Sequence, residues 1–212
     1  MKVINPKKLV CMDSYASKYN YSIDLAYARN DNLLFGERIY KKSAQLWLYK
    51  DLAEIVFTAS KYCFEEYKVR FILYDGLRTT DAQEAMMRTK RVLDNPHWLE
   101  KPRLLSPSGA GGHPRGMAID IGLEDKSGEL LDMGCMFDCL TERAHREHEH
   151  SPKIMHNREM LDNSMDMAAR NLNVQLLPLP EEWWDFRLPP EIYEQYKPLS
   201  DNNLPKHMRL VN

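Results

Sequence analysis

A glycine-rich turn that runs directly into an alternating strand is the feature that most constrains this chain. Residues 108–120 read Ser-Gly-Ala-Gly-Gly-His-Pro-Arg-Gly-Met-Ala-Ile-Asp. Because side chains alternate between the two faces of a strand, Asp120 is expected to point away from the face that carries Ile119 and Ile121. A carboxylate beside a packed strand needs a partner, and a metal ion shared with His113 would supply one. The alternative is an ordinary hydrogen-bonded or surface pair, so the metal interpretation depends on finding further ligands.

Three helices are predicted from apolar spacing and capping signals. Apolar side chains at three- and four-residue steps predict one helix over residues 43–66 and another over residues 151–171. Thr80 and Gln83 form a capping box, which predicts a third helix over residues 80–92.

Strand signals lie between these helices. Residues 69–74 are rich in aromatic and β-branched side chains, and residues 119–121 continue the opening stretch. A turn at residues 124–129 and a returning arm at residues 130–133 suggest a hairpin. We therefore expect one α+β domain over residues 1–212, in which helices flank a small, mainly antiparallel sheet that carries the metal site. Its N-terminal segment is irregular, and its C-terminal tail is rich in proline and asparagine.

Composition limits the classes of partner that the chain is expected to bind. Lys and Arg number 29 against 31 Asp and Glu, with a formal net charge of -2 and no long basic run, so we expect no nucleic-acid partner. The N-terminus lacks a secretory signal and no apolar span is long enough for a membrane helix, so we expect a cytoplasmic protein without a membrane partner. The four cysteines show no zinc-knuckle spacing, which favours free thiols in a reducing compartment. The oligomeric state stays open, with a homodimer as one alternative.

Two further segments carry side chains suited to catalysis. Arg78 lies between a strand end and the helix that begins at Thr80, from where a guanidinium can point into a cleft; a surface arginine is the alternative. Farther along, Glu182 and Asp185 frame two adjacent tryptophans. Neither a pure core segment nor a pure surface segment explains that arrangement.

Together these residues can form a catalytic zinc site. A catalytic zinc takes three protein ligands and keeps one open position, and His113, Asp120 and Asp185 would provide an N,O,O set. Glu182 would take the proton of the attacking water. Since residues three apart on a regular strand face opposite ways, we predict a turn or bulge between Glu182 and Asp185. Arg78 would stabilise the oxyanion that forms on the substrate carbonyl.

Four segments also carry motifs in a recognisable order. Residues 112–120 read Gly-His-Pro-Arg-Gly-Met-Ala-Ile-Asp, residues 74–78 Tyr-Asp-Gly-Leu-Arg, residues 133–138 Met-Gly-Cys-Met-Phe-Asp and residues 182–185 Glu-Trp-Trp-Asp. They resemble the Ser-x-His-x-x-Gly-x-Ala-x-Asp, Trp-Asp-Gly-Tyr-Arg, Met-Gly-x-x-Phe-Asp and Glu-Trp-Trp-His motifs of the VanX-type D-alanyl-D-alanine dipeptidases. That family belongs to the lysostaphin, carboxypeptidase and hedgehog-like metallopeptidases, and the resemblance extends over residues 23–188.

The resemblance implies a role for each matching residue. It implies one Zn²⁺ per chain with His113 and Asp120 as ligands, Glu182 as general base and acid, and Arg78 on the tetrahedral intermediate. It also implies a hedgehog/D-Ala-D-Ala peptidase-like fold.

Substrate size follows from two more matches. By the resemblance, Tyr27 and Asp138 receive the free ammonium group of a small dipeptide. An anionic Asp138 in a closed pocket would disfavour longer chains, because an additional residue would both clash and remove the paired charge.

The chain departs from the family pattern at two positions. Gly111 stands where the signature has serine, so a hydroxyl near the substrate is missing. Asp185 stands where the family has histidine as the third ligand. An anion in place of a neutral imidazole lowers the net positive charge of the site, which should make the bound water less acidic or favour a harder ion.

The expected function is therefore a zinc-dependent dipeptidase that hydrolyses D-alanyl-D-alanine or a related small dipeptide from peptidoglycan metabolism. Two alternatives remain at this stage. One is a carboxypeptidase or endopeptidase of the same fold that acts on larger muropeptides. The other is a catalytically weakened, metal-binding regulatory protein, which the aspartate at position 185 alone supports.

Overall fold

A computed structural model describes residues 1–101 and 104–211, which form two sheets with helices around them. The strands are β1 Leu9–Cys11, β2 Ser22–Ile23, β3 Trp47–Tyr49, β4 Arg70–Asp75, β5 Ala118–Glu124 and β6 Asp185–Arg187. The α-helices are α1 Ala16–Tyr19, α2 Lys50–Tyr67, α3 Thr80–Met87, α4 Lys90–Asp94, α5 Pro152–Asn171 and α6 Pro190–Tyr193. No helix among the described residues is both long and apolar enough to cross a membrane.

The larger sheet has four strands in the order β2-β4-β5-β6. Strand β2 runs parallel to β4, whereas the β4/β5 and β5/β6 pairs are antiparallel. Strands β1 and β3 form a separate antiparallel pair. The expected α+β class with a small, mainly antiparallel sheet is confirmed.

One face of the larger sheet is buried under α2 and α5. These helices pack against each other and contribute Ile55, Val56 and Leu161 to the main core. The sheet supplies alternate residues to the same core, including Leu73 of β4 and Ile121 of β5, as a strand with one packed face requires. The intervening side chains of β5 are therefore directed to the opposite face, where Asp120 lies.

A smaller apolar cluster covers part of that opposite side. It contains Tyr27 from a short 3-10 helix, Ala26–Ala28, together with Tyr40 and Met86. Because these side chains are buried at 2%, 1% and 0% exposure, the cluster provides a rigid wall beside Asp120.

Two helix predictions need correction. Residues 43–49 are not helical: Trp47–Tyr49 pairs with β1, and α2 begins only at Lys50. The helix expected over residues 80–92 is two helices, because the Thr89 hydroxyl accepts from the Val92 N–H and starts a new one. The third prediction, over residues 151–171, corresponds to α5.

The hairpin predicted after β5 is present only in rudimentary form. Asp125 closes the turn by accepting from the Ser127 backbone and side chain. A single antiparallel bridge joins Glu124 to Leu130, and no strand follows it in residues 131–133.

Candidate active site

Three carboxylates form a row across neighbouring strands of the larger sheet. Asp75 on β4 pairs with Asp120 on β5, and Asp120 pairs with Asp185 on β6. All three are almost completely buried, at 0%, 1% and 0% exposure. Like charges directly opposite one another repel, so this row requires cations around it.

A β-bulge creates the first member of the row. Leu73 pairs with Ile121, yet Asp75 pairs with Asp120, so β4 carries one additional residue, Tyr74, at this point. In a regular strand Asp75 would share the face of Leu73 and enter the main core. The bulge turns it to the side of Asp120 instead.

His113 lies over the row at the start of a 3-10 helix, His113–Arg115. Its Nδ1 is 2.8 Å from the carbonyl oxygen of Gly76. A carbonyl can only accept, so Nδ1 carries a proton, and Nε2 is the ring atom that faces the carboxylates. That Nε2 lies 3.5 Å from both Asp120 Oδ1 and Asp185 Oδ2.

The surroundings of His113 favour positive charge at Nε2. Burial, the largest single effect, lowers the pKa of His113, and Arg78 also lowers it. The carboxylates of Asp120 and Asp185 outweigh both and raise that pKa to about 10. A site that attracts a proton so strongly is equally suited to another cation.

An observation on Asp120 indicates that these side chains fit a divalent cation. Among the described residues, its buried Oδ1 has no hydrogen-bond partner, although it faces the imidazole of His113. A buried anionic oxygen needs positive charge beside it, which is supplied either by a protonated Nε2 at 3.5 Å or by a metal ion in place of that proton. The predicted ligands His113, Asp120 and Asp185 are the residues that would hold the ion, because His113 Nε2 faces one oxygen of each aspartate.

Asp75 also lies near His113 and Asp120, close enough for a metal-binding group. Its oxygens are already engaged, however, because Oδ1 accepts from the Tyr40 hydroxyl at 2.8 Å and Oδ2 from Arg78 Nε at 2.8 Å. Asp75 therefore acts as an anchor for neighbouring side chains.

Arg78 is held between two carboxylates. Its Nη2 lies 2.7 Å from Asp75 Oδ2 and 3.5 Å from Asp120 Oδ2, and its guanidinium lies 5.2 Å from the ring centre of Tyr27. The Arg78 N–H donates to the carbonyl of His113, so the two loops are joined at this point. The side chain lines the cavity above the row.

Arg187 is the cation beside the third carboxylate, and its role was not predicted. Its Nε donates to Asp185 Oδ1 at 2.7 Å, and its Nη2 donates to Oδ2 at 2.5 Å. Burial acts to raise the pKa of Asp185, but Arg187 and His113 outweigh burial and hold it well below its usual range. The spacing of two on a strand was the signal in the sequence, since residues 185 and 187 share one face.

Glu182 lies at the turn that was predicted before β6. The Asp185 N–H donates to the Glu182 carbonyl at 3.4 Å, which closes the turn and confirms that prediction. The Glu182 carboxylate lies within 4.8 Å of ligand atoms of Asp120 and Asp185. Burial, followed by the charges of Asp185 and Asp120, raises the pKa of Glu182 to about 8, which suits a group that exchanges protons near neutral pH.

Tyr27 and Asp138 meet at the other end of the cavity. The Tyr27 hydroxyl donates to Asp138 Oδ1 at 3.0 Å. Asp138 has a left-handed backbone with φ of 62° and lies beside Phe137, which stacks on Tyr74 at 4.6 Å. Burial and the charge of Asp120 raise the pKa of Asp138 to about 7. An incoming ammonium group would stabilise its ionised form.

All seven predicted site residues come together around one cavity. Further residues beside the cavity were given no role in the sequence analysis. Six of the seven line this cavity directly: Tyr27, Arg78, His113, Asp120, Asp138 and Glu182. Asp185 lies immediately behind them, in contact with His113. Asp75 and Tyr40 were not assigned roles, because only the bulge and the smaller core bring them to Arg78.

Comparison with known proteins shows the family of the chain. The chain is 29% identical over 167 residues to the D-alanyl-D-alanine dipeptidase of Escherichia coli (strain K12), covering 79% of this chain and 78% of that protein. Among solved structures, Serratia marcescens L-Ala D-Glu endopeptidase ChiX is similar with a TM-score of 0.44 and 15% identity, over 69% of this chain and 84% of that one. Residues 7–201 match the peptidase M15 family described as D-ala-D-ala dipeptidase. Because this match spans most of the chain, the protein belongs to that family and is a metallopeptidase.

Proposed function

We propose that the protein is a zinc-dependent dipeptidase that hydrolyses D-alanyl-D-alanine or a related small dipeptide derived from peptidoglycan. The observation that carries the proposal is Asp120 Oδ1, which accepts no hydrogen bond from the described residues and lies opposite His113 Nε2, with Glu182 within 4.8 Å of the Asp120 carboxylate. A buried cation site next to a carboxyl group of raised pKa is the arrangement that metal-assisted hydrolysis needs.

Each residue has a task that follows from its position. A zinc ion held by His113, Asp120 and Asp185 would polarise the substrate carbonyl and lower the pKa of a bound water. Glu182 would accept a proton from the attacking water and return it to the departing amine. Arg78 would donate to the carbonyl oxygen as negative charge develops there.

The preferred substrate size follows from the small volume of the cavity and from the part of its wall where Tyr27 and Asp138 meet. The cavity has a volume of about 50 Å³, and Asp138 and Tyr27 lie along its wall. An ammonium group at this end would pair with Asp138, so a substrate with a free amino terminus is favoured. The family relationship to D-Ala-D-Ala dipeptidases supports the same substrate class.

A second candidate is an endopeptidase or carboxypeptidase that acts on larger muropeptides. One observation favours it: Asp138 and Phe137 also border a cavity of about 410 Å³ on their other side, with mainly apolar neighbours. A longer substrate could extend into that space if the wall at Asp138 opened.

The experiment compares free and blocked dipeptides. Zinc-loaded protein should release D-alanine from D-Ala-D-Ala and leave the N-acetylated dipeptide intact, and Glu182→Gln should abolish release while retaining zinc. Faster cleavage of the acetylated form would favour the second candidate. No release from any D,D- or L,D-dipeptide by protein that carries zinc would overturn both.

A further inference from the structure

The third position of the proposed metal site carries a charged pair. We propose that Asp185 and Arg187 act together as one electrically neutral, single-atom ligand, with Arg187 as the positioning residue. This inference rests on the proposed function insofar as it requires the divalent cation site. It concerns the two residues of β6 that set the chemistry of this site apart from a site whose third ligand is an imidazole.

Hydrogen bonding leaves Asp185 a single available oxygen. Oδ1 accepts from Arg187 Nε at 2.7 Å and from the Leu179 N–H at 3.3 Å, so both of its lone pairs are directed at donors. Within residues 1–101 and 104–211, Arg187 Nη2 is the one hydrogen-bond donor to Oδ2, which also lies 3.5 Å from His113 Nε2. One lone pair of Oδ2 therefore remains for a cation, as with an imidazole nitrogen.

Charge balance leads to the same conclusion. A carboxylate ligand adds one negative charge relative to imidazole, which reduces the Lewis acidity of a bound ion. Arg187 adds one positive charge at hydrogen-bond distance, and its side chain is only 13% exposed, so solvent screens it weakly. The pair therefore presents the same formal charge to the site as a neutral ligand does.

Gly111 provides the space that the guanidinium occupies. A Cβ at position 111 would lie 3.2 Å from Arg187 Nη1, and the backbone there is left-handed with φ of +72°. A side chain at this position would press on Arg187 and require a strained backbone. The two departures from the family motifs, Gly111 and Asp185, are thus connected through one residue.

The test is a set of variants whose zinc affinity is measured by competition with a chromophoric chelator at fixed pH and salt. Asp185→His leaves Arg187 as an unpaired cation beside the metal, so zinc should bind about tenfold or more weakly. Adding Arg187→Gln to that variant should restore an affinity close to that of the parent. Arg187→Gln alone exposes the charge of Asp185 and should tighten zinc binding by about tenfold.

A spectroscopic readout tests the single-atom part of the inference. With Co²⁺ in place of zinc, Arg187→Gln frees Asp185 Oδ1 for a second bond, so coordination number should rise and visible absorption should fall. Arg187→Lys keeps the charge and should keep zinc affinity near that of the parent. The Arg187→Lys and Arg187→Gln comparison alone decides the question if Asp185→His does not fold.

Two results would overturn the inference: a double variant that binds zinc no better than Asp185→His, or equal zinc affinity in Arg187→Lys and Arg187→Gln with an unchanged cobalt spectrum. Both concern metal binding and are independent of turnover. If the parent and the variants show the expected zinc affinities but the parent hydrolyses no dipeptide, the inference is supported and the proposed function is overturned. A parent that binds no zinc overturns both.

Discussion

Two aspartate–arginine pairs flank Asp120; both arginines line the cavity, but of the two buried aspartates it is Asp185 that lies beside His113 Nε2. On β4, Asp75 is fully buried and holds Arg78, whose guanidinium faces the cavity. On β6, Arg187 also lines the cavity, and the fully buried Asp185 that it holds has Oδ2 3.5 Å from His113 Nε2. The first pair delivers a positioned cation, and the second delivers a positioned, neutralised anion.

The difference shows that one kind of ion pair can serve two purposes. A buried pair contributes little net stability, because desolvation of the two charges offsets their attraction. What the pair does provide is a fixed orientation for the partner that reaches the site. The predictions below test whether the β4 pair acts on turnover and the β6 pair on metal binding.

The largest expected effect comes from Arg78→Lys. The ammonium preserves the charge beside Asp75 but loses the planar fork that also reaches the cavity, so kcat should fall by about 100-fold. Zinc affinity should stay close to that of the parent. Steady-state kinetics and chelator competition on the same preparation measure both quantities, and a parallel loss of zinc would remove the distinction between the pairs.

Next in size is Asp75→Asn, which leaves Arg78 without its buried counter-charge. The free energy of unfolding should fall by about 3 kcal/mol, measured by urea denaturation. Asp24→Asn is the matched control, because Asp24 pairs with Arg29 at the surface and should change stability by less than about 1 kcal/mol. Asp185→Asn should lose zinc as well as stability, whereas Asp75→Asn should retain zinc.

A smaller effect is expected from Tyr40→Phe. The buried hydroxyl donates to Asp75 Oδ1 at 2.8 Å. Because its removal leaves that oxygen without this donor, the free energy of unfolding should fall by about 1 to 2 kcal/mol. Tyr49→Phe serves for comparison, since its hydroxyl lies 3.5 Å from that of Tyr196. Equal stabilities for both variants would show that Asp75 does not depend on Tyr40.

The smallest effect should come from Gly111→Ala, which should lower the free energy of unfolding by about 1 kcal/mol because of the left-handed backbone and the contact with Arg187. Gly128→Ala separates the two causes, because its φ is +92° and nothing lies within 4 Å of the added Cβ. Thermal unfolding measures both variants. In an Arg187→Gln background the Gly111→Ala cost should shrink, and an unchanged cost would mean that the guanidinium is not crowded.

Much of the fold and most of the site were predictable from local pattern. Helix α5 follows from its apolar spacing, and Asp120 from alternation with Ile119 and Ile121. The turn at Glu182 follows because one strand cannot direct both Glu182 and Asp185 to the same site. The start of α2 was misplaced because pairing between β3 and β1 overrides helical spacing at Trp47.

The sequence by itself determined the identities and approximate order of the site residues, because motif spacing and strand alternation are local properties of the chain. Only the tertiary structure decided what each charge does. The bulge that aligns Asp75 with Asp120 and the guanidinium of Arg187 beside Gly111 both depend on how distant segments pack. Whether a buried carboxylate anchors an arginine or is free to bind a metal ion depends on which donors already contact its oxygens, and those donors come from distant parts of the chain.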